Sequence, residues 1–272
     1  MKALNESSKA KGGNVIEIHY SADPAAEADA TVLPISAPFD KTKQKGKDGT
    51  FYGEGASKEA VNKALTALKG EKDQKGMVFS KLKLKAKKVA KTSITLGWSK
   101  PSGAVKFVIY GNKCGTATKY LKLKEATGTS FAVTKVNGKA VKKGTYYKFV
   151  IVALNRNGNV VSTSKTIHVV TKGGKYTNLK SVSIKVKKSG KYRAVSKLTV
   201  KKGKKKTLKT KAVKEKSKLR AQKHVAIRYE STNKKIATVT SKGIIKGVKK
   251  GKCKVYAYAQ NGVCKAVTVT VK

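Results

Sequence analysis

From about residue 81 to the C-terminus, apolar and polar residues alternate with a period of two. The segments "KLKLKAKKV", "TSITLGWS", "TYYKFVIVALN" and "AVTVTV" show this alternation, and glycines and asparagines separate such segments at short intervals. Successive side chains of a β-strand point to opposite faces, so this period is typical of strands. Many short strands with turn residues between them favour antiparallel β-sandwiches. We therefore expect this part of the chain to be all-β.

The charge of the chain changes abruptly near residue 80. Residues 1–80 contain 12 of the 63 lysines and arginines, together with 11 acidic residues. The other 51 basic residues lie in 81–272, with only three acids, Glu125, Glu215 and Glu230. The formal net charge of +49 therefore belongs almost entirely to the C-terminal part. Such a step in charge indicates a domain boundary.

The near-neutral part, 1–80, has a different character. Three of the four prolines lie between residues 23 and 55, which favours loops, and "SKEAVNKALTALKG" predicts one helix near 57–69 with Ser57 as its cap. We expect a small α+β extension here. No apolar stretch follows the first lysine, so we expect no signal peptide, and either a cytoplasmic protein or a piece of an exported one. No apolar run approaches the roughly 18 residues that span a membrane.

Two stretches in the first half of the basic part resemble a known family. In "SITLGWSKPSGAVKFVIYGN" and "GTYYKFVIVALNRNGNVVSTS", the residues follow the pattern of a fibronectin type III domain. The resemblance covers roughly 82–171 and implies that Trp98 is a core tryptophan and Tyr147 the tyrosine of a tyrosine corner. The connection "KVNGKAVKKGT" is longer than the family usually has. The resemblance implies a spacer or binding module without catalysis. The alternation predicts an inward set of Tyr147, Phe149, Ile151 and Ala153.

The last part of the chain resembles a second family. The elements "IRYESTNKK", "IATVTSKG", "IIKGVKKG" and "KCKVYAYAQNGVCKAVTVTV" are similar to those of a bacterial Ig-like domain of group 2, over about 180–272. Tyr229 stands where that family often has tryptophan. The step in charge and the two resemblances together predict three parts: 1–80, a fibronectin type III-like sandwich at 81–172 and a bacterial Ig-like sandwich at 173–272. They imply part of a larger exported protein, extracellular or on the surface of a Gram-positive bacterium.

Two of the three cysteines, Cys253 and Cys264, flank the turn of the last predicted hairpin. If Val255 and Val267 both face the core, the loop contains three residues. Cys253 then points inward and Cys264 outward. We therefore expect no disulfide between them.

The sequence predicts no catalytic residues, no metal site and no cofactor. His19, His168 and His224 are far apart, without cysteines or carboxylates at ligand spacing beside them. The three acids of the basic part stand singly, whereas catalysis commonly needs a nucleophile with a base, or paired carboxylates. Phosphate-loop and dinucleotide motifs are absent from the sequence. We therefore expect that the protein is not an enzyme.

The basic residues are concentrated most strongly between 200 and 224, with a second group at 81–88. Only four of the 63 are arginines, so diffuse attraction to polyanions is favoured over base-specific readout. A solvated face that prevents strand aggregation is the alternative interpretation. Tyr256 and Tyr258 are predicted to project outward and to stack on bases or sugar rings. The lysines predicted to bind a polyanion are Lys201, Lys202, Lys204, Lys205, Lys206, Lys209 and Lys211.

Three functions remain open from the sequence. The first is a non-catalytic surface or adhesion module that spaces or attaches a partner at an anionic cell-wall polymer or polysaccharide. The second is a phage virion or nucleic-acid-associated protein with non-specific binding. The third is a carbohydrate-binding accessory module, which an outward aromatic platform would favour. The response of binding to salt separates them, because phosphate-driven binding weakens steeply as salt rises.

Overall fold

The computed structural model of the chain describes residues 78–115, 118–221 and 226–272. Within these segments the regular elements are β-strands, so the all-β prediction is confirmed there. The helix predicted near 57–69 lies outside the described residues. The same segments contain no helix long and apolar enough to cross a bilayer.

The first group of strands forms two sheets around one hydrophobic core. One sheet has the order β1-β2-β5 and the other the order β10-β8-β3-β4, with β9 also paired to β8. Buried residues from Leu82 to Val169 form the core between them. The strands are β1 (Leu84–Val89), β2 (Ile94–Trp98), β3 (Lys106–Lys113), β4 (Leu121–Ala126), β5 (Ser130–Val133), β6 (Lys135–Val136), β7 (Lys139–Ala140), β8 (Tyr146–Leu154), β9 (Val160–Thr163) and β10 (Ile167–Val170).

Strand β8 confirms the inward set that the alternation predicts. Tyr147, Phe149, Ile151 and Ala153 all belong to the first core. The Tyr147 hydroxyl accepts a hydrogen bond of 2.9 Å from the backbone N–H of Lys142, five residues upstream. A tyrosine that bonds back to the backbone in this way is a tyrosine corner. Trp98 is buried in the same core, edge-on to Phe107.

The opposite face of strands β3 and β8 is buried as well. Val108, Val150 and Val152 lie on it, and so does Lys148, which is 0% exposed. The Lys148 Nζ donates to the carbonyl oxygens of Gly115 at 3.2 Å and Thr118 at 2.6 Å. These bonds satisfy a cation that burial would otherwise destabilise.

The long connection noted in the sequence, 135–145, forms an extra hairpin of β6 and β7. Its turn is Asn137-Gly138, and both residues have positive φ angles, 53° and 71°. Asn-Gly with two positive φ angles is the preferred two-residue hairpin turn, so the extra residues fold into a turn of their own.

The second group of strands surrounds another core, formed by buried residues from Leu179 to Val271. Its sheets have the orders β13-β12-β16, β14-β22-β21-β18 and β15-β20-β19, and β11 pairs with β17. The strands are β11 (Tyr176–Thr177), β12 (Leu179–Lys188), β13 (Lys191–Ala194), β14 (Lys197–Val200), β15 (Lys205–Thr207), β16 (Lys209–Lys214), β17 (Arg220–Ala221), β18 (Arg228–Ser231), β19 (Ala237–Val239), β20 (Ile244–Gly247), β21 (Gly251–Tyr258) and β22 (Cys264–Val271).

The last hairpin has the register predicted from the sequence. Cys253 lies opposite Val269, and the Ala259 N–H donates to the Val263 carbonyl at 2.8 Å across a three-residue loop. Cys253 is buried in the core, whereas Cys264 is exposed. The two thiols form no disulfide, as expected.

The tip of this hairpin, residues 260–262, joins the second group of strands to the first. The Asn261 carbonyl accepts from the Ala86 N–H at 3.0 Å, and the Gln260 carbonyl accepts from the His168 N–H at 2.8 Å. The His168 ring also bonds the Gln260 side chain at 2.7 Å. A Cβ at Gly262 would lie 2.0 Å from the Leu84 carbonyl oxygen, so the close approach needs glycine. We call residues 260–262 and their partners on β1 and β10 the joint.

Candidate polyanion-binding surface

The seven lysines predicted to bind a polyanion are all exposed. They follow the end of β14, run through a turn into β15, and continue on β16. Backbone bonds hold the turn: the Lys204 N–H donates to the Lys201 carbonyl at 3.0 Å, and Lys202 donates to Lys272 at 2.9 Å. Gly203 has the positive φ of 76° that this turn requires. The ammonium groups therefore project from an ordered backbone.

Strand register distributes these lysines over two sheets. Lys205 and Lys206 lie on β15, in the sheet with β20 and β19. Lys209 and Lys211 lie on the outer face of β13-β12-β16, because the alternate residues of β12 are buried in the core on the inner face. The predicted cluster is thus a surface that passes from one sheet to the next, rather than a single row.

Two pairs of lysines face each other directly across neighbouring strands. Lys185 of β12 is opposite Lys209 of β16, and Lys205 of β15 is opposite Lys246 of β20. Like charges directly opposite each other on one face destabilise a sheet, by an amount comparable to the roughly 0.2–1 kcal/mol of a favourable pair. The stretch 179–214 contains no acidic residue that offsets them. A bound polyanion would remove this repulsion.

The carboxylates of the basic part are engaged elsewhere. Glu125 forms ion pairs with Lys122 at 2.7 Å and Lys106 at 3.3 Å. Hydrogen bonds from these two lysines lower the pKa of Glu125 to about 2. Glu230 accepts from the backbone N–H groups of Phe79 at 3.0 Å and Ser80 at 2.9 Å, and from the Ser80 hydroxyl at 2.7 Å. These contacts leave the predicted lysine surface strongly positive.

The third carboxylate, Glu215, lines a cleft of about 350 Å³ between residues 170–178 and 215–219. Burial raises the pKa of Glu215, and the nearby charge of Lys172 lowers it in part. Lys216 and Lys218 also line the cleft. None of the seven predicted lysines lies there, so the cleft is separate from the candidate surface.

The predicted stacking role of Tyr256 and Tyr258 is wrong in this structure. Both rings point away from the second core, as expected, but they are only 9% and 1% exposed. Phe79 covers them, with its ring parallel to Tyr258 at 4.0 Å and edge-on to Tyr256 at 5.8 Å. Arg228 lies over Tyr258 as well, at 4.6 Å. Buried rings offer no face to a base or a sugar.

An exposed tyrosine that the sequence pattern did not single out lies beside the predicted lysines. Tyr192 of β13 is 43% exposed, and the Lys209 Nζ lies 4.6 Å from its ring centroid. Tyr192 pairs with Lys187 of β12, so both side chains leave the sheet on its outer face. The signal available was the alternation in "GKYRAV", where charged residues flank the tyrosine. We call the outer surface formed by the following six residues the Tyr192 face: Lys185, Lys187, Tyr192, Lys209, Lys211 and Val213.

The residue types that commonly bind metal ions are dispersed in the part of the chain that the structure describes. No group of three or more histidines, cysteines and acidic residues that could hold a metal ion occurs there. His168 is 1% exposed, and its ring bonds the Gln260 side chain in the joint. His19 and His224 lie outside the described residues.

The strands from β14 to β22 correspond to a known domain family. Residues 194–271 match the family model of the bacterial Ig-like domain, group 2. The matched region contains Lys201 to Lys211 and Tyr229, whose hydroxyl bonds the Thr210 hydroxyl at 3.1 Å. The resemblance predicted over about 180–272 is confirmed for the matched residues. Strand β12 precedes the match, and the region covers less than a third of the chain.

Several solved structures are similar to parts of this chain. One is the fibronectin type III domain of human fibronectin type III domain containing protein 3, at 22% identity, covering 32% of this chain and 79% of that chain, with a TM-score of 0.27. Another is a C-terminal 282-residue intimin fragment in complex with the intimin-binding domain of the translocated intimin receptor, at 15% identity, with 70% and 63% covered and a TM-score of 0.25. A third is pectate lyase PelI from Erwinia chrysanthemi in complex with tetragalacturonic acid, at 14% identity, with 44% and 34% covered and a TM-score of 0.28. These scores are too low to support any conclusion about function. The search of curated proteins found no match.

Proposed function

We propose that this protein is a non-catalytic bacterial surface or extracellular module that attaches to anionic envelope polymers through its lysine-rich surface. The observation that carries the proposal is that Lys185 is opposite Lys209 and Lys205 is opposite Lys246 on neighbouring strands, with no acidic residue in 179–214. A net charge this large opposes the compact fold through self-repulsion. An anionic partner relieves that repulsion, so binding and folding favour each other.

The architecture we propose is two tandem Ig-like sandwiches at 81–172 and 173–272, the first of fibronectin type III type, preceded by the extension 1–80. The division between the two cores supports it, since the first core ends at Val169 and the second begins at Leu179. The tyrosine corner at Tyr147 supports the type of the first sandwich. The match to the bacterial Ig-like family supports that of the second. Such sandwiches serve as rigid supports for binding surfaces.

The proposed mode of attachment is diffuse and electrostatic. Lysine carries a hydrated point charge on a flexible stem, and it lacks the planar fork with which arginine grips phosphate in two places. Many weak contacts of this kind hold a polymer without selecting one sequence or one repeat. Affinity is then expected to rise with the length and charge density of the polymer.

The test measures binding of the full chain to purified anionic wall polymer, duplex DNA and a neutral glycan at several salt concentrations. One variant replaces Lys205, Lys206, Lys209 and Lys211 with glutamine. The matched control replaces four exposed lysines of the first region with glutamine: Lys135, Lys139, Lys142 and Lys143. For wild type we expect tight binding to wall polymer that weakens steeply with salt. The logarithmic salt slope should decrease by about one for each lysine–anion pair removed in the first variant, and much less in the control.

Other results would overturn the proposal in recognisable ways. Tighter binding to DNA than to wall polymer would indicate the nucleic-acid-associated alternative. Salt-independent binding to the neutral glycan would indicate a carbohydrate-binding accessory module. Absence of binding to all three at low salt would leave the lysines as a solvated surface, and the protein as a spacer.

A further inference from the structure

The Tyr192 face has a composition that the rest of the lysine-rich surface lacks. It combines four lysines with an exposed aromatic ring and an exposed aliphatic side chain, Val213, which is 43% exposed. Most large apolar side chains in the described residues are buried, and Tyr192 and Val213 are among the few with more than a third of their surface exposed. Both lie on the outer side of the same three-stranded sheet. These two side chains give the charged face apolar contact area in addition to its ammonium groups.

Strand register sets the order of the side chains along the Tyr192 face. Tyr192 is opposite Lys187 at one end of the face, and Val213 is opposite Ser181 at the other. Between them lie Lys185 opposite Lys209 and then Ser183 opposite Lys211. At about 3.3 Å per residue, the face measures roughly 20 Å from Lys187 to Ser181. An extended ligand therefore meets an apolar contact at each end and cationic groups in between.

The ring is held in place by its neighbours. The Lys209 Nζ lies 4.6 Å from the Tyr192 centroid, within the range of a cation–π contact. Tyr192 belongs to a strand that is hydrogen-bonded to β12, so its backbone is fixed relative to the lysines. An aromatic side chain has few rotatable bonds, and a ligand that stacks on it therefore orders little additional structure.

We infer that the Tyr192 face is the ring-binding part of the proposed attachment surface, and that its ligand is an acidic polysaccharide bound in an extended conformation. This inference rests on the proposed function and names its ligand class. The C–H face of a sugar ring packs on Tyr192, a second sugar contacts the Val213 methyl groups, and the carboxylates of the polymer pair with Lys185, Lys187, Lys209 and Lys211. The Ser181 hydroxyl is available to sugar hydroxyls, and the Ser183 hydroxyl, which donates to the Lys211 carbonyl at 3.4 Å, can accept from one.

Charge and aromatic spacing favour a sugar polymer over a nucleic acid. Proteins that bind single strands stack successive bases on several aromatic side chains. Here one ring serves about 20 Å of surface, and saturated methyl groups stand at the far end. The basic groups are lysines, without the arginine fork that reads guanine edges. The face therefore offers ring contacts only at its ends, with charge contacts between them.

The experiment compares four probes that separate ring contacts from charge contacts. A polyuronate oligomer long enough to span the face supplies rings and carboxylates, and inorganic polyphosphate supplies charge without rings. Single-stranded DNA supplies bases, and the neutral glycan supplies rings without charge. Binding of the full chain is measured for wild type, Tyr192→Ala, Tyr192→Phe and Lys187→Gln. Tyr192→Phe keeps the ring, and Lys187→Gln removes one charge from the same face.

Tyr192→Ala should lower polyuronate affinity about tenfold or more, the range expected when one stacking ring is removed. Its salt slope and its polyphosphate affinity should remain unchanged, and Tyr192→Phe should bind like wild type. Lys187→Gln should weaken both polyanions and reduce both slopes by about one. Circular dichroism spectra that match wild type would show that the variants fold.

Four results would overturn the inference. Equal losses for polyuronate and polyphosphate in Tyr192→Ala would mean that the ring only positions Lys209. A larger Tyr192-dependent affinity for single-stranded DNA would make the ligand a nucleic acid. Unchanged polyuronate binding in Tyr192→Ala would remove the ring from the site, while salt-sensitive binding by wild type would leave the proposed function standing. If wild type binds neither polyanion, the proposed function and this inference both fail.

Discussion

Two outward-facing surfaces of the second group of strands carry tyrosines, and these tyrosines differ in their exposure to solvent. On β21, Tyr256 and Tyr258 are buried beneath Phe79. On β13, Tyr192 remains exposed beside Lys209. Both surfaces are the outer sides of sheets whose inner sides face the same core. The difference teaches that an outward position in the pleat does not by itself mean contact with water.

The residues next to each tyrosine account for the difference. In "VYAYA", at 255–259, the outward and inward positions are both apolar, as in strands buried on both faces. In "GKYRAV", lysine and arginine flank Tyr192, and the facing positions on β12 are Lys185 and Lys187. An uncovered β21 would expose two adjacent rings, whereas the charged neighbours keep the Tyr192 face hydrated.

The largest loss of stability within the second group of strands should come from Gly262→Ala in the joint. A Cβ there would lie 2.0 Å from the Leu84 carbonyl oxygen and 2.6 Å from the Lys85 Cα, at a φ of +86°. We expect a loss of about 3 kcal/mol in the free energy of unfolding, from overpacking plus strain. Denaturant unfolding measures it. The control is Gly103→Ala, which has φ +74° but nothing within 4 Å, and should lose only about 1 kcal/mol. Equal losses would show that the close approach is unimportant.

Glu230→Gln should uncover the β21 tyrosines with a smaller loss of stability. The carboxylate accepts three hydrogen bonds from Phe79 and Ser80, and an amide oxygen cannot replace both charged acceptor atoms. We expect a loss of about 2 kcal/mol. Nitration followed by mass spectrometry should find Tyr192 reactive in wild type, and Tyr258 reactive only in the variant. A Tyr258 that stays protected in the variant would mean that stacking alone holds Phe79.

A change of opposite sign should come from Lys246→Gln, since it relieves the repulsion with Lys205. We expect the free energy of unfolding to rise by about 0.2–1 kcal/mol at low salt, and the gain to vanish at high salt. Urea unfolding at the two salt concentrations measures it. Lys242, an exposed turn lysine, supplies the control substitution to glutamine, which should change stability less. A gain that is insensitive to salt would point to a cause other than charge.

The smallest effect concerns the first group of strands, where Glu125 is paired with lysines. Its pKa of about 2 lies below the ordinary value, so the ion pairs stabilise the fold above the ordinary pKa, and this stability is lost as the pH falls toward about 2. The contribution should stay below about 1 kcal/mol, as for exposed pairs. Unfolding of wild type and Glu125→Gln at neutral and acidic pH measures it. The two curves should differ at neutral pH and converge in acid, and parallel curves would contradict the assignment.

Local patterns were enough to predict the all-β class of the described residues and details of two strands. The inward set of β8 and the register of the last hairpin depend on residues close together in the chain, and the resemblance to fibronectin type III domains implied the tyrosine corner. The cover over Tyr258 depends on Phe79, which is 179 positions away. The step in charge also predicted a boundary at residue 80, although Phe79 and Ser80 contact the second group of strands. Pairings of such separation leave no periodic signal, so the covered and open faces could not be distinguished by alternation alone.

The anchoring of Ser80 on Glu230 has a mechanical consequence. Tension between Val78 and Lys272 would reach β18 through the three hydrogen bonds to Glu230, and then the C-terminus through β21 and β22. The first group of strands lies between Ser80 and β11, outside this load path. While these bonds hold, a pull along the chain would bypass its core. It would therefore act as a protected side loop, and it would bear load only after the bonds to Glu230 had broken.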